Sequence, residues 1–272
     1  MIDLGSLEDI LELEGIEEFR EKNLDYYLYK NQGVPRVTHI IKECTNSDAL
    51  INWASRVGFK MKNIRDKATT VGTITHSKIE NYMNYLLVNP SLDEDLYDNQ
   101  EDYIPDTYCR EIDIAYHNFK YWMTKINNMG VYIQELKGCE ITVTTPWFGG
   151  TIDAIVKING AWYIIDFKTS SKISTSYLIQ TASYMWAINN GYCPGMPHID
   201  GIGIIRVDKK TRGKFEDLFL NEFDPIQNGY IYSYQQCFLA YLNVYYRNIH
   251  TEYITNNFRK EYDTKLVLSK GE

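Results

Sequence analysis

The spacing of apolar residues changes near residue 130 and predicts two kinds of structure. Before that point apolar residues recur every three or four positions, as in Ile112, Ala115 and Phe119, which indicates amphipathic helices. After it, short apolar runs bounded by turn residues indicate strands, with helices between and after them. The chain therefore combines a helical first part with a sheet-containing second part.

The predicted elements follow from these patterns and from the turn and capping residues between them. We predict helices in residues 1–30, through Ile40 and Ile41 after a turn at Gly33–Thr38, from Ser47 or Asp48, from Gly72 onward, and over Asp106–Asn128, Ser174–Asn189 and Pro225–Thr251. A polar, acidic segment, Asn89–Asp106, is predicted as a loop. We predict one or two strands in Val131–Thr144 and one strand each in Gly150–Ile158, Ala161–Phe167, Ile199–Val207 and Lys214–Phe219.

The order of these elements predicts the fold class. Asn159-Gly160 joins two strands and is a strong signal for a two-residue hairpin. Helices, then three antiparallel strands, a helix, two strands and a last helix indicate an α/β (α+β) fold with a central mixed sheet flanked by helices. We expect one compact unit made of a helical N-terminal part, residues 1–130, and a sheet-containing core, residues 131–272.

Two adjacent predicted strands carry the residues with the clearest chemistry. One contains Gly149-Gly150-Thr151-Ile152-Asp153 and the other Ile164-Ile165-Asp166-Phe167-Lys168. Side chains alternate across a strand, so Asp166 and Lys168 face one side and Phe167 the other. Two carboxylates and an ammonium group at one edge of a sheet form a site for a hard divalent cation and an activated water, which is the chemistry of phosphodiester hydrolysis.

Charge and hydrophobicity restrict the classes of partner. The net charge is −8, from 28 basic and 36 acidic residues, which argues against a non-specific coat on duplex DNA but not against a nuclease with a local basic channel. No apolar run approaches the roughly 20 residues of a membrane span. The acidic N-terminal segment lacks the basic region of a secretory signal. We therefore expect no membrane association and a cytoplasmic location.

The cysteines give no sign of a disulfide framework or a metal cluster. They are five in number, far apart, and include no CxxC pair. This argues against a zinc or iron–sulfur site and favours buried free thiols. They are Cys44, Cys109, Cys139, Cys193 and Cys237.

Three sequence pieces in this order resemble the PD-(D/E)xK nuclease superfamily. They are Gly72-Thr73-Ile74-Thr75-His76 with Ile79-Glu80, then Asp153 followed by Asp166-x-Lys168, then Gln180-x-x-x-Tyr184. The upstream histidine and the QxxxY helix are similar to the RecB-like exonuclease branch. Pro35-Arg36-Val37-Thr38 resembles the opening of the subgroup that contains the mitochondrial genome maintenance exonuclease and many phage exonucleases. The resemblance implies a restriction-endonuclease-like core.

The resemblance also implies a role for each of these residues. His76, Asp153, Asp166 and the backbone carbonyl of Phe167 would bind Mg²⁺ or Mn²⁺. Lys168 would hold or help to deprotonate the attacking water and stabilise the developing charge. Gln180 and Tyr184, four residues apart on one helix face, would orient Lys168 or contact the scissile phosphate.

Further residues are candidates for the site on weaker grounds. Glu80, one turn after His76, and Glu140, on the preceding strand, could join or orient the metal ligands, although a solvated acid on a helix explains Glu80 equally well. Candidate nucleic-acid contacts are Arg65, Lys67, Thr169, Ser170, Lys172, Lys209, Lys210 and Arg212. An ordinary solvated hairpin turn explains the last three equally well.

The implied function is a metal-dependent DNA exonuclease that acts on single-stranded DNA with free ends. A structure-specific or restriction-type endonuclease on the same core is the alternative, and a non-catalytic DNA-binding protein is a third. The cysteines cannot supply the iron–sulfur cluster of some RecB-like nucleases, and no P-loop is present. Replication or recombination proteins would be partners, in the host cytoplasm if a phage encodes the protein.

Overall fold

The computed structural model describes residues 5–22, 26–45, 60–88, 108–131 and 133–269. The predicted helix from Ser47 or Asp48 and the predicted loop Asn89–Asp106 lie outside these ranges. The helices of the described chain are α1 (Gly5–Leu11), α2 (Ile16–Lys22), α3 (Val37–Cys44), α4 (Met61–Val88), α5 (Cys109–Asn128), α6 (Thr175–Asn189) and α7 (Pro225–Ser269).

A five-stranded mixed sheet lies at the centre of the fold and confirms the predicted fold class. Its strands, in spatial as well as chain order, are β3 (Ile133–Thr144), β4 (Gly149–Ile158), β5 (Ala161–Lys168), β6 (Gly201–Val207) and β7 (Phe215–Asn221). β4 and β5 are antiparallel, β5 and β6 are parallel, and β6 and β7 are antiparallel. The parallel pair is joined by a crossover through α6, as parallel strands require. This arrangement is consistent with a restriction-endonuclease-like core.

The β4–β5 hairpin turns at the predicted dipeptide. Asn159 and Gly160 have φ values of 50° and 85°, the left-handed backbone that a two-residue type I′ turn needs at both central positions. The turn sets the register of the pair, in which Ala154 lies opposite Ile165. One position further, the same register sets Asp153 opposite Asp166.

The hydrophobic core of the sheet lies on the face covered by α4 and α5. Phe167 of β5 projects to this face, and its ring meets Phe119 of α5 edge to face at a centroid distance of 5.5 Å. Because neighbouring side chains alternate, Asp166 and Lys168 project to the other face, where α6 contacts β5 and β6. Aliphatic side chains of three strands complete the core, namely Ala154, Val156, Ile158, Ile165, Ile205 and Val207.

Helix α6 is capped and almost entirely buried. The Ser174 hydroxyl accepts a hydrogen bond from the Ser176 backbone N–H, as an N-cap residue does. Every residue from Leu178 to Ile188 is buried, so the helix carries polar groups such as Gln180 into the interior. Buried polar groups of this kind are costly unless they are hydrogen-bonded.

Three sequence predictions differ from the structure near the N-terminus. A small antiparallel hairpin of β1 (Tyr27–Tyr29) and β2 (Gln32–Val34) occupies part of the segments predicted as helix and turn. Its turn, Lys30-Asn31, has φ values of 49° and 68°, and without a glycine the sequence gives little signal for it. Thr38, predicted as the last residue of the turn, lies inside α3, which begins at Val37 after an extended Arg36.

Two helices are longer than predicted. Helix α4 begins at Met61, so Gly72 lies inside it and does not precede it. A glycine costs about 1 kcal/mol in a helix relative to alanine, and the neighbouring apolar stripe outweighs that cost. Helix α7 continues to Ser269. Among the described residues, no helix has an apolar stretch long enough to cross a bilayer.

The chain divides into two compact units. One comprises Met1–Asn46, Thr144–Gly150 and Gln235–Glu272, and the other Ser47–Val143 and Thr151–Tyr234. The second unit contains His76 and both strand acids. The division into residues 1–130 and 131–272 stays a prediction.

Candidate active site

Asp166 and Lys168 form a buried ion pair on the face of β5 opposite the aromatic core. Lys168 Nζ lies 2.6 Å from Asp166 Oδ1, and the Asp166 side chain is only 5% exposed. Burial disfavours the charged carboxylate and raises the pKa of Asp166 to about 6, with Asp153 adding to the rise and Lys168 opposing it. The carboxyl of Asp166 is therefore poised to exchange a proton for a cation close to neutral pH.

Asp153 is bonded to the strand that carries Asp166. The Phe167 backbone N–H donates a hydrogen bond to Asp153 Oδ2 at 2.7 Å. Burial would raise the pKa of Asp153, but His76, Lys168 and this N–H together hold it below its usual value. Asp153 therefore loses its proton at a lower pH than its neighbour Asp166, a separation of pKa values seen where two acids share one site.

Lys168 lies between the two acids and an aromatic ring of α6. Its Nζ is 4.9 Å from the centre of the Tyr177 ring. Burial would lower the pKa of Lys168, but Asp166 and Asp153 outweigh it and hold that pKa above its ordinary value. The side chain is an ammonium ion at neutral pH, suited to donating hydrogen bonds and to stabilising negative charge.

His76 comes to the site from helix α4. His76 Nδ1 lies 3.4 Å from Asp153 Oδ2, and the His76 side chain is 26% exposed. Burial would lower the pKa of His76, but the hydrogen bond and the charge of Asp153 raise it. A cation bound by this nitrogen would have to displace the proton that Asp153 stabilises.

A cavity of about 500 Å³ opens beside His76 and Asp153. Helix α4 lines it with Gly72, Thr73, His76, Ser77 and Glu80, and Glu140 of β3 lines it as well. Both candidate acids therefore reach the same cavity as His76. The glycine and small hydroxyl side chains keep it open on the helix side.

Glu140 has an unusual backbone. Its φ is 49°, a left-handed conformation that costs a non-glycine residue about 1–2 kcal/mol. Partial burial, with Asp153 and Glu80 nearby, raises the pKa of Glu140. Strained backbone of this kind is concentrated at active sites and ligand sites, so Glu140 stays a candidate for the site.

Gln180 and Tyr184 are both buried on α6, and Gln180 Nε2 lies 3.4 Å from Tyr184 Oη as donor to acceptor. The residue of α6 that meets Lys168 directly is Tyr177, one turn before Gln180. Sequence reasoning missed Tyr177, although the three-residue step from Tyr177 to Gln180 places the two on neighbouring parts of one helix face. Their roles toward Lys168 or phosphate stay predictions.

The donor set fits a hard divalent cation. Among the residues that the structure describes, none donates a hydrogen bond to Asp166 Oδ2, although this oxygen is buried. An ionised carboxylate oxygen without a partner is costly to bury, and a cation is the partner that suits an acceptor-only atom. His76 and Asp153 lie on the same side and add an imidazole nitrogen and a carboxylate, a mixed set that suits Mn²⁺ as well as Mg²⁺.

The predicted nucleic-acid contacts form two groups. Near the site, Thr169 lies 3.5 Å from the position a Gly72 side chain would take. The Ser170 hydroxyl donates to the Lys172 carbonyl at 2.9 Å, and the Ser170 carbonyl accepts from Arg206 at 3.1 Å. Lys172 is exposed.

The second group lies around α4, α5 and the β6–β7 turn. Lys67 pairs with Glu111 at 2.6 Å, and burial together with Lys210 and Lys67 lowers the pKa of Lys209. Lys210 and Arg212 line a second cavity with α5. Arg65, on the same helix as Lys67, is exposed and lies 4.0 Å from Asp66.

Another group of metal-binding residue types lies at the opposite end of the sheet, where β6 begins and β7 ends. Donor atoms of His198, Asp200 and Glu222 lie within 4.8 Å of one another. His198 Nε2 lies 3.0 Å from Glu222 Oε1, and the Trp162 N–H donates to Asp200 Oδ2 at 2.7 Å. This group is separate from the site at Asp166.

No protein-family model matches this chain, and no curated protein matches its sequence. Among solved structures, it is similar to an alkaline exonuclease (LHK-Exo) from Laribacter hongkongensis, at 13% identity and a TM-score of 0.34, covering 90% of this chain and 98% of that chain. It is also similar to LHK-Exo in complex with dAMP, at 16% identity and a TM-score of 0.31, covering 64% and 85%. At identities and TM-scores this low, the function has to be argued from this chain's own residues.

Proposed function

We propose that this protein is a metal-dependent deoxyribonuclease that hydrolyses phosphodiester bonds, and that it acts as an exonuclease on single-stranded DNA with free ends. The observation that carries the proposal is the Asp166 carboxylate. One of its oxygens binds Lys168, and the other is buried with no donor among the described residues. Asp153 and His76 lie beside it.

In this proposal the residues divide the work of hydrolysis. Asp166, Asp153 and His76 would hold Mg²⁺ or Mn²⁺, with the Phe167 carbonyl as a further ligand. When bound, the cation would polarise the phosphate and lower the pKa of an attacking water. The oxygen of the attacking water would form a bond to phosphorus while one ester P–O bond breaks. The proton that the water gives up would be balanced by the one that the leaving sugar oxygen takes up.

Lys168 is suited to stabilising the negative charge that develops on the phosphate oxygens. Because the two acids hold its pKa above the ordinary value, Lys168 keeps its proton and donates hydrogen bonds, to the attacking water or to a phosphate oxygen, more readily than it removes a proton. Removing one such donor from a hydrolytic site costs about 100- to 1,000-fold in rate.

The preference for free ends and single strands is supported by the position of helix α4 beside His76 and Asp153. His76 reaches Asp153 from a long helix, α4, and the same helix lines the cavity at the site. A strand entering such a cavity by its end needs no base-specific contact. We propose the cytoplasm as its location and replication or recombination proteins as partners, as the family resemblance implies.

A comparison of linear and circular single strands tests the exonuclease assignment. With Mg²⁺ or Mn²⁺, end-labelled linear single strands should be degraded to mononucleotides or short oligomers, while closed circles of the same sequence should persist. Equal digestion of both forms, with discrete internal cuts, would show that the protein is an endonuclease and not an exonuclease. Binding of DNA with no cleavage under any of these conditions would leave a non-catalytic DNA-binding protein.

A further inference from the structure

The β6–β7 turn and helix α5 enclose a cavity of about 620 Å³ whose charged residues are mostly basic. Arg110 comes from α5, and Lys210 and Arg212 come from the turn, with Asp113 as the acid among the lining residues. We call this cavity the basic groove. Its excess of positive charge contrasts with the net charge of −8 of the whole chain, so a local electrostatic role explains it better than composition does.

A buried asparagine fixes the turn against the helix. Asn118 of α5 is fully buried, and its Nδ2 donates to the carbonyls of Asp208 and Thr211 at 2.6 and 2.8 Å. The Gly213 N–H donates to Asn118 Oδ1 at 2.6 Å. Both N–H donors of this amide and one lone pair of its oxygen thus hold one turn.

The side chain of Asp208 also stabilises the turn. Asp208 Oδ1 accepts hydrogen bonds from the backbone N–H groups of Lys210 and Thr211, both at 2.8 Å. This Asx-type bonding is common in turns, and here it holds the turn that carries Lys210 and Arg212 in one conformation. A binding surface gains affinity when its cations are held in place before the ligand arrives.

The groove lies at the same end of the sheet as the candidate active site. Arg206 of β6 is the register partner of Lys168, which puts their Cα atoms about 5 Å apart. Buried Arg206 donates to the Ser170 carbonyl at 3.1 Å and lies 3.4 Å from Asp208. One side chain therefore ties the loop after the catalytic strand to the turn that forms the groove.

Two further features suit a single nucleic-acid strand. Lys67 lies 5.6 Å from the centre of the Tyr108 ring, beside the residues that begin α5. An aromatic ring next to a row of cations is the usual combination for single strands, whose bases stack while their phosphates are neutralised. Burial lowers the pKa of Lys209, with Lys210 and Lys67 adding to the fall and Glu111 opposing it, and a phosphate placed there would favour the charged ammonium group.

We propose that the basic groove binds the phosphate backbone of a single nucleic-acid strand away from the bond that is cut, with Arg110, Lys210 and Arg212 as its phosphate contacts. The identity of the ligand rests on the proposed function. The groove sets how firmly a strand is held, while the residues around Asp166 set whether it is cut.

Measuring DNA binding in the absence of metal separates the role of the basic groove from cleavage at Asp166. Anisotropy of fluorescein-labelled oligo(dT), titrated in EDTA at salt from ~50 to ~200 mM, should show affinity falling steeply with salt. The double variant Lys210→Gln with Arg212→Gln should reduce the slope of log affinity against log salt by about 1.4, since each single-strand phosphate contact contributes about 0.7. Lys137→Gln with Lys157→Gln, on β3 and β4, removes the same charge and should leave the slope unchanged.

Several outcomes would overturn the proposal. An unchanged slope in the groove variant, or an equal change in the control, would show that these cations do not contact phosphate. An equal loss of affinity for a duplex would overturn the assignment to a single strand. Loss of the nuclease activity itself is a separate result, because a wild-type protein that cuts nothing but binds oligo(dT) through these residues would retain the groove and lose the proposed function.

Discussion

Asp166 and Lys168 share one face of strand β5, and Lys168 Nζ lies 2.6 Å from Asp166 Oδ1. The other carboxylate oxygen of Asp166 is buried without a donor in the described part of the chain. The pair thus leaves one oxygen for a cation while the ammonium group stays close to the place where a phosphate would bind.

Metal should stabilise the protein through Asp166. A cation that binds only the folded state stabilises it by about 2.7 kcal/mol at ~100 times its dissociation constant, so Mn²⁺ should raise the melting temperature of the wild type. In Asp166→Asn this rise should largely disappear. Thermal unfolding with and without Mn²⁺ measures both, with Asp66→Asn, an exposed acid of α4, as the matched control. A full Mn²⁺ response in Asp166→Asn would exclude this carboxylate as a ligand.

Metal affinity should depend on pH. The pKa of Asp166 is raised to about 6 and that of His76 is raised above its ordinary value, so both groups hold protons that a cation must displace. Binding should therefore weaken as the pH falls through about 6 and strengthen above it. The same shift means that Asp166 contributes stability to the metal-free fold at low pH and that this contribution is lost as the pH rises through about 6.

Calorimetric titration with Mn²⁺ at pH ~5 and ~7.5 measures this dependence and the protons released. His198→Ala supplies a background without the other metal-binding group. Equal affinities at the two pH values would contradict the assignment of Asp166 and His76 as ligands.

Tyr177 should position Lys168 through its ring. The ring centre lies 4.9 Å from Lys168 Nζ, and a buried cation–π contact contributes about 0.5–2 kcal/mol, or roughly two- to thirtyfold in rate if lost. Tyr177→Ala should lower kcat by such a factor, while Tyr177→Phe, which keeps the ring, should stay near the wild-type value. Steady-state cleavage kinetics measure both. A loss of equal size in both variants would assign the effect to the hydroxyl group.

Asn118 should be a large contributor to the stability of the unit that holds the site. Replacing it with alanine leaves two carbonyls and one N–H without their buried partner, which should lower the free energy of unfolding by about 2–4 kcal/mol. Asn128→Ala, at the exposed end of the same helix, should cost less than about 0.5 kcal/mol. Urea denaturation compares the two variants, and equal costs would contradict the clamp.

Glu140 should contribute to metal binding through its carboxylate, while its backbone conformation should matter little for stability. Glu140→Gly relieves a left-handed backbone that costs about 1–2 kcal/mol but adds about 0.5–1 kcal/mol of lost entropy, so stability should change by less than about 1 kcal/mol. Both Glu140→Gly and Glu140→Gln should weaken Mn²⁺ binding by about tenfold or more. Unaltered Mn²⁺ affinity in both variants would remove Glu140 from the site.

Local patterns were sufficient to predict the sheet and the strand that carries the acids. Alternation along Ile164–Lys168 separates Phe167 from Asp166 and Lys168, and Asn159-Gly160 specifies the hairpin, because both depend only on neighbouring residues. The hairpin at Lys30-Asn31 was missed because neither residue is a glycine, although asparagine tolerates the left-handed backbone.

Contacts between distant segments could not be predicted in this way. Asn118 looks like any polar residue of a helix, and its partners lie 90 or more positions away in the chain. The contact of Tyr177 with Lys168 depends on how α6 packs on β5, which no spacing in the sequence specifies. The roles of His76, Gln180 and Tyr184 in catalysis stay predictions that only activity can test.

The most direct test of the central claim is cleavage of a 5′-labelled linear single-stranded DNA by the wild type and by Lys168→Ala, each with Mg²⁺, with Mn²⁺ and with EDTA. The wild type should release labelled mononucleotides or short oligomers with either metal and none in EDTA. Lys168→Ala should be slower by about 100- to 1,000-fold while still giving the wild-type increase in melting temperature with Mn²⁺. Cleavage in EDTA, or cleavage at the wild-type rate by Lys168→Ala, would contradict a metal-dependent nuclease centred on Asp166 and Lys168.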